Sequence, residues 1–230
     1  MYEAVRPVPD GSATPSRFVS TATRYGYSGV VLLAGTEDVD RQCCDRIAAR
    51  YGIDVVAGCC VRPSSRKELM ASISTRRPDV DVLCVRAGSR AMRRFIVTRA
   101  QIDVLVDPIG EDGVIAHTTI KQAMDNGIAI ALEFRPLLRE RGTARIEYAK
   151  RLADLARVLD YYQAPTVVTA IPRSHLELRA PRELSAIGSA TGIDASLIHR
   201  GFRTWQTIAE RSRRFHDDRF IEPGVRRVDE

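Results

Sequence analysis

Short apolar runs alternate with longer amphipathic segments along most of this chain. The runs are rich in Val and Ile and fall near residues 2–6, 28–34, 53–62, 80–86, 102–107, 128–134 and 166–170. Continuous apolar runs of this length are typical of parallel strands that are buried on both faces. The segments between them repeat apolar residues at helical spacing near 15–25, 37–51, 66–77, 89–99, 118–126, 143–163 and 181–191, with a last one at about 195–215. This alternation predicts consecutive strand–helix units.

The number of strands indicates how these units close on each other. Seven apolar runs favour an α/β fold of the TIM-barrel-like (β/α) type, in which about seven parallel strands are surrounded by helices. An open doubly wound sheet is the alternative. The chain of 230 residues suits one domain, which we place at 1–215. The remaining tail, 216–230, has little apolar content, and we expect it to be mobile.

Local signals agree with these boundaries. Thr14 before Pro15 is a typical helix start, and so is Ser65 with Glu68 three residues further on, as in a capping box. Glycine follows three of the helical segments, as C-terminal caps do, at Gly26, Gly52 and Gly127.

Arginine follows five of the apolar runs. The positions are Arg6, Arg62, Arg86, Arg135 and, shortly after the last run, Arg173. The carboxyl ends of the strands of a barrel form one rim, where functional side chains lie. A guanidinium group holds phosphate oxygens through paired hydrogen bonds, and it suits phosphate recognition more than bond breaking. The sequence therefore predicts a phosphate-binding rim.

The charge of the chain points to the same class of ligand. The formal net charge is +6 and the pI is about 9.3, a balance that favours an acidic partner such as nucleic acid. The segment from Val82 to Ile102 contains no acidic residue, and it carries Arg90, Arg93 and Arg94 at i, i+3 and i+4. This spacing puts the three on one helical face, where their mutual repulsion would be relieved by a polyanion.

Cysteine usage and hydropathy predict a cytoplasmic protein without a membrane partner. The five cysteines include two adjacent pairs and no Cys-x-x-Cys spacing, so we expect reduced core cysteines rather than disulfides or a zinc ribbon. No apolar stretch approaches the roughly 20 residues that cross a bilayer. The N-terminal segment has the features of neither a signal peptide nor a transit peptide.

The sequence contains no motif of an established catalytic site. It has no Gly-rich phosphate loop and no Gly-x-Ser-x-Gly elbow. A metallo-phosphoesterase barrel typically has His-x-His after its first strand, and this chain has Arg6-Pro7-Val8 there. We therefore predict no metal site and no catalytic residue on the protein. The residues that could still converge on a metal are Asp107, Glu133, His117 and His175.

Two motifs carry a family resemblance. One is Phe134-Arg135-Pro136-Leu137-Leu138, and the other is Leu178-Arg179-Ala180-Pro181-Arg182-Glu183-Leu184. Pro181 suits the first turn of a helix whose N–H groups, with Arg179 and Arg182, offer a phosphate site. Together with Ala116–Lys121 these motifs resemble the ribonuclease P protein component 3 family, whose TIM-barrel-like fold is related to the polymerase-and-histidinol-phosphatase group.

The resemblance implies a non-catalytic subunit of ribonuclease P. Members of the family bind and stabilise the catalytic RNA that removes the 5′ leader of precursor tRNA, and they pair with another small protein subunit. The RNA carries the chemistry with its own magnesium, so the protein itself needs no cofactor. The family motifs carry over to Arg179, Arg182 and Glu183, and then to His117, Lys121 and Arg135. At 109–113, where the family would lead us to expect arginine, the sequence is Ile-Gly-Glu-Asp-Gly.

The predicted RNA-binding residues combine the rim, the basic helix and these motifs. They are Arg6, Arg62, Arg86, Arg90, Arg93, Arg94, His117, Lys121, Arg135, Arg173, His175, Arg179, Arg182 and Glu183. Two other functions remain open at this point. One is a metal-dependent phosphoesterase of the polymerase-and-histidinol-phosphatase type. The other is an isomerase that binds a sugar phosphate at the helix start near Arg179.

Overall fold

The computed structural model describes residues 1–34, 39–110, 113–215, 220–222 and 225–226, and from residue 215 onward it describes the backbone alone. The strands are β1 (Tyr2–Val5), β2 (Gly29–Leu33), β3 (Asp54–Val61), β4 (Val82–Arg86), β5 (Val104–Val106), β6 (Ile109–Gly110), β7 (Gly113–Val114), β8 (Ala129–Glu133), β9 (Thr166–Thr169), β10 (Phe220–Glu222) and β11 (Val225–Arg226). The helices are α1 (Pro15–Arg24), α2 (Arg41–Tyr51), α3 (Arg66–Arg76), α4 (Arg90–Ile96), α5 (His117–Asp125), α6 (Arg135–Arg139), α7 (Gly142–Tyr161), α8 (Pro181–Ala190) and α9 (Ala195–Phe215), and a short 3-10 helix covers Arg77–Asp79.

Seven strands form a parallel, nearly closed barrel. Their order is β1-β2-β3-β4-β5-β8-β9, and every adjacent pair runs parallel. The predicted TIM-barrel-like α/β fold is therefore confirmed, and the open doubly wound sheet is not what forms. The seven predicted runs each contain one of these strands. Each run is buried on both faces, because helices cover the outside and side chains fill the inside.

Side chains close the seam between the first and last strands. The Glu3 carboxylate, which is buried, accepts hydrogen bonds from the Thr169 hydroxyl and from Ala170 N at 3.2 Å. One residue beyond β1, Arg6 N donates to Pro172 O at 2.9 Å. In the order of the described strands, β1 and β9 stand at the two ends and are not paired with each other. These hydrogen bonds hold the two strands together.

The last long helix packs against one end of the barrel. Trp205 of α9 is fully buried with interior side chains such as Val31 and Val167, and its indole N–H donates to Val168 O at 3.0 Å. Gly201 allows this approach, because a Cβ there would lie 2.6 Å from Val168 Cγ2. The successive strand residues alternate between this interior and the outer layer, where helices such as α1 pack.

Arginine–aspartate pairs cover the amino-terminal ends of the strands. Arg213 of α9 binds Asp54 through two hydrogen bonds of 3.0 and 2.9 Å. Arg211 binds Asp103 at 2.9 Å, and Arg77 pairs with the other oxygen of the same carboxylate. This end of a (β/α) barrel serves stability, whereas functional side chains collect at the opposite rim.

The structure adds elements that the hydrophobic pattern did not reveal. The segment after Phe134 forms the short helix α6, and the strands β6 and β7 form an antiparallel pair after β5. The predicted helix starts at Thr14 and Ser65 are confirmed, since both side chains accept a hydrogen bond from the first turn.

Most of the tail at 216–230 lies outside the described residues, so its mobility stays a prediction. Its described parts, β10 and β11, pair antiparallel. No helix in the described part of the chain is long and apolar enough to cross a membrane.

Candidate nucleic-acid interface

An arginine lies between two carboxylates at the centre of the barrel rim. Arg86, the last residue of β4, binds both oxygens of Glu133 at 3.0 Å and lies 3.5 Å from an oxygen of Asp107. Burial opposes the charged form of Arg86, but the Glu133 carboxylate raises its pKa above the ordinary value. Burial raises the pKa of Asp107, an effect that the Arg86 charge opposes. Arg86 and Glu133 thus form a fixed, charge-balanced pair at the floor of the rim, with Asp107 beside it.

This arrangement does not favour the metal-dependent phosphoesterase. Asp107 and Glu133 do meet at the rim, as that alternative requires, but the Arg86 guanidinium occupies the position between them. His117 lies elsewhere, with its ring 5.9 Å from that of Tyr162. Within the described ranges, no group of three or more His, Cys, Asp or Glu side chains is placed to hold a metal ion.

The backbone is strained at two strand ends of the same rim. Asp107 follows β5 with a φ of 61°, and Ile171 follows β9 with a φ of 41°. The left-handed region is costly for a β-branched residue such as Ile171. Ile171 N is held by the Thr169 hydroxyl at 3.0 Å. Strain of this kind is typical of sites where the surrounding structure fixes a functional loop.

A second ion-paired cluster borders a cleft beside this floor. Glu177 binds Arg135 at 3.1 Å and Arg139 at 3.1 Å. Despite burial, the hydrogen bond from Arg173 N and the charges of these two arginines lower the pKa of Glu177. The cleft has a volume of about 270 Å³, and its wall includes Arg135, Arg139, Arg179 and Glu177. One carboxylate thus faces three guanidinium groups.

The outer layer of the rim carries several arginine charges, with Asp10 as a nearby carboxylate. Arg173 is exposed, and its pKa is lowered by desolvation and by the neighbouring charges of Arg135, Arg6 and Arg86. The Nε atom of Arg6 is buried and has no hydrogen-bond partner among the described residues. An anion held by Arg6 and Arg173 would satisfy this donor and relieve the repulsion. The expected convergence of arginines therefore occurs at the rim.

A close backbone contact positions these two arginines, and Gly11 makes it possible. A Cβ at Gly11 would lie 2.0 Å from Arg6 O and 2.5 Å from Arg173 O. We expect Gly11→Ala to push the two loops apart and to lower the free energy of unfolding by about 1–3 kcal/mol, as overpacking does. Chemical denaturation measures this loss. Gly88→Ala is the control, because no atom lies within 4 Å of a Cβ there; equal stability of both variants would contradict the prediction.

The second family motif forms a helix start in which the charges are already engaged. Pro181 is the first residue of α8, as predicted, and Glu183 accepts a hydrogen bond from Ala180 N at 2.8 Å. The Arg179 guanidinium donates to Leu176 O and Leu178 O at 3.2 and 3.1 Å. Glu183 therefore caps the helix and carries a negative charge where a phosphate would dock, which disfavours the sugar-phosphate isomerase. Arg182 is exposed.

The basic helix differs from the expected single exposed face. Arg90 and Arg94 of α4 are exposed, but Arg93 is only 1% exposed and donates to Gly113 O at 3.4 Å. Arg93 is therefore buried, and its predicted RNA contact stays a prediction. Gly113 begins β7 of the β6–β7 pair, which the periodicity of the sequence did not reveal.

The remaining predicted residues are dispersed around the barrel. Arg62 is exposed just after β3. His117 and Lys121 of α5 are exposed and contact Tyr162, with Lys121 Nζ 5.2 Å from the ring centroid. His175 is partly buried, and its Nδ1 has no hydrogen-bond partner among the described residues. The RNA contacts predicted for these positions stay predictions.

Two residues of the cleft were missed by the sequence reasoning. Glu177 and Arg139 bind each other and complete the cluster around Arg135. A signal for Arg139 was present, since Arg135 and Arg139 are four residues apart and would share one face of a helix. No comparable signal marks Glu177, which approaches through the fold of the loop after β9.

The fold and the rim define an α/β barrel with an arginine-rich rim. Residues 1–216 match the family model described as RNase P subunit p30. The chain belongs to this family, which confirms the resemblance seen in the two motifs.

Individual relatives agree over nearly the full length. The chain is 40% identical to ribonuclease P protein component 3 of Halorubrum lacusprofundi, covering 99% of this chain and 97% of the relative. It is 38% identical to the protein of that name from Haloarcula marismortui, covering 100% and 98%. A chain in a cryo-EM structure of archaeal ribonuclease P with mature tRNA has the same fold, with a TM-score of 0.84 at 18% identity, covering 100% of this chain and 99% of that chain.

Proposed function

We propose that this chain is a non-catalytic protein subunit of archaeal-type ribonuclease P. In this proposal it binds and stabilises the RNA that removes the 5′ leader of precursor tRNA in the cytoplasm. The observation that carries the proposal is the rim cluster of Arg6 and Arg173 beside the Arg86–Glu133 pair, because it concentrates arginine charges around a buried Arg6 Nε that has no hydrogen-bond partner among the described residues. Membership of the ribonuclease P subunit p30 family supports the identity of the RNA.

The rim would act through charge and position. Arg86 and Arg135 are held by carboxylates, so they serve as a rigid base, while Arg173 and Arg182 extend into solvent. Exposed guanidinium groups neutralise phosphates and release counterions. The RNA would then reach its active fold at a lower magnesium concentration. The RNA subunit supplies the magnesium and the chemistry, and the protein supplies no cofactor.

The proposal includes further partners. One is a small protein subunit of ribonuclease P that pairs with this chain, and the other is precursor tRNA as the substrate of the assembled enzyme. The archaeal structure with mature tRNA contains a chain of the same fold, which supports this setting.

Reconstitution tests the proposal. The full chain is added to its cognate ribonuclease P RNA, and precursor-tRNA cleavage is followed against magnesium concentration. We expect the chain to lower the magnesium requirement, and we expect the double variant Arg173→Ala, Arg182→Ala to weaken this effect. The slope of log affinity against log salt should become shallower by about 0.9 for each phosphate that the variant no longer binds, as for duplex DNA.

A matched variant separates specific contacts from overall charge. Arg157 is 76% exposed and pairs with Asp154 within α7, so Arg157→Ala removes one exposed arginine away from the rim. It should leave the magnesium requirement unchanged. The proposal fails if the wild-type chain neither binds the RNA nor changes the magnesium requirement.

A further inference from the structure

Two arginines contact one aromatic ring beside the rim. Phe95 of α4 is partly buried, and its ring centroid lies 4.8 Å from Arg66 Cζ and 4.4 Å from Arg99 Cζ. Arg66 begins α3 and Arg99 follows α4, so the contact links two neighbouring helices. Cation–π attraction offsets part of the repulsion between the two guanidinium groups and limits where they can move.

No carboxylate among the described residues neutralises these two arginines. Neither Arg66 nor Arg99 has an acidic side chain within ion-pair distance among the described residues. The nearby carboxylate in the sequence of α3 is Glu68, which accepts hydrogen bonds from Ser64 N at 2.7 Å and Ser64 Oγ at 2.6 Å. The Nε atom of Arg99 is buried and has no hydrogen-bond partner among the described residues. The local charge is therefore both uncompensated and partly desolvated.

Further arginines lie on the surface around this pair. We use the name α3–α4 flank for the surface formed by Arg62, Arg66, Arg90, Arg94, Phe95 and Arg99. Arg62, Arg90 and Arg94 are exposed, and no acidic residue occurs between Val82 and Ile102. The flank begins at the ends of β3 and β4, so it continues the barrel rim along the outside. A chain of regularly spaced anions fits this row of cations better than one small anion does.

We propose that the α3–α4 flank is a second phosphate-binding surface for the backbone of the RNA, and that Arg66 and Arg99 each hold a phosphate while Phe95 positions them. This inference rests on the proposed function, since the RNA is the same molecule that the rim binds. A guanidinium group lying over a ring keeps the N–H groups at its edge for phosphate oxygens. Within the acid-free segment of the sequence, the charge of Arg99 is then balanced by a phosphate of the RNA.

Salt-dependent binding of the full chain to its cognate ribonuclease P RNA tests this inference. We expect the double variant Arg66→Ala, Arg99→Ala to make the slope of log affinity against log salt shallower by about 1–2 and to bind about tenfold more weakly for each phosphate released at moderate salt. Phe95→Leu keeps both charges, so it should keep the slope and lose affinity only a few-fold. Arg157→Ala should match the wild type.

Two further comparisons keep the outcomes distinct. The double variant Arg66→Lys, Arg99→Lys retains both charges, so it should keep the wild-type slope of log affinity against log salt. It should recover only part of the affinity, since lysine lacks the planar guanidinium group. Thermal melts check that all variants fold. The inference is overturned if the Arg66, Arg99 variant binds like Arg157→Ala while Arg173→Ala still weakens binding, because the RNA then contacts the rim alone. It is also overturned if the flank variants lose affinity only for the protein partner. Absence of binding by the wild type would overturn the proposed function itself.

Discussion

Replacing Glu133 by alanine should lower the free energy of unfolding by about 3–5 kcal/mol, the range found when one partner of a buried ion pair is removed. The side chain of Glu133 is 5% exposed and that of Arg86 is 20% exposed. Without Glu133, the Arg86 charge stays in the rim with Asp107, 3.5 Å away, as its remaining carboxylate. We expect the loss to fall toward the lower end of the range because Asp107 remains. Chemical denaturation measures it.

A second substitution tests whether the pair is the cause. In the double variant Glu133→Ala, Arg86→Met, the Arg86 charge is removed together with its main partner. Only Asp107 loses an ion-pair partner, and its side chain is 29% exposed, so the double variant should be more stable than Glu133→Ala alone. Removing both members of a buried pair is commonly far less costly than removing one. A double-mutant cycle gives the coupling energy, which we expect to be about 2–3 kcal/mol.

The same variants separate the RNA-binding interpretation from the phosphoesterase. If Glu133 were a metal ligand, Glu133→Ala would abolish a metal-stimulated phosphodiester cleavage by the wild-type chain. A stable Glu133→Ala protein that has lost such an activity would contradict our account of the rim. A destabilised protein that is rescued by Arg86→Met would support it, because a metal ligand has no reason to couple to Arg86 in this way.

The barrel was predictable from the sequence because burial on both faces leaves a continuous apolar signal. The strands β2 and β4 are examples, since nearly every residue in them is buried. The hairpin of β6 and β7 has two residues in each strand, which is too short to produce any periodicity. The burial of Arg93 was not predictable for the same reason, because its hydrogen-bond partner Gly113 belongs to β7.

The position of the site was predictable, but its internal pairing was not. Arginines that follow parallel strands must meet at one rim, and Arg6, Arg86 and Arg173 do so. Which carboxylate each arginine binds depends on loop paths that no local pattern encodes. Asp107 and Glu133 were correctly expected at the rim as possible metal ligands, yet they bind Arg86 instead. Glu183 was expected among the RNA contacts, and its structural role is to cap α8.

The pH dependence of stability should be dominated by a carboxyl group at the barrel seam. Glu3 is buried, and burial raises its pKa to about 8, although hydrogen bonds from Thr169 and Ala170 act in the opposite direction. The unfolded chain releases this proton near its ordinary pKa of 4.5. The folded chain therefore binds one more proton between about pH 4.5 and 8, and the free energy of unfolding falls as the pH rises through this window.

Glu3→Gln removes this dependence and should make the protein more stable at alkaline pH. A glutamine keeps an oxygen for Thr169 Oγ1, Ala170 N and Ala4 N, the three donors that Glu3 Oε1 binds, and it never ionises. At about pH 9 the variant should exceed the wild type by about 5 kcal/mol, the free energy that corresponds to the pKa shift. Near pH 4.5 the two proteins should be almost equally stable. Chemical denaturation across this range measures the difference.

A surface carboxyl provides a control of opposite sign. Hydrogen bonds from Ser64 lower the pKa of Glu68, so the ionised form of Glu68 favours the folded state and its contribution is lost as the pH falls. Glu68→Gln should therefore lower stability at neutral and alkaline pH and have little effect in acid. If Glu3→Gln instead lowered stability at neutral and alkaline pH and had little effect in acid, as expected for Glu68→Gln, the charged carboxylate would be the form that holds the seam. The barrel would then be closed by an ionised group that the hydrogen bonds from Thr169 and Ala170 are sufficient to stabilise.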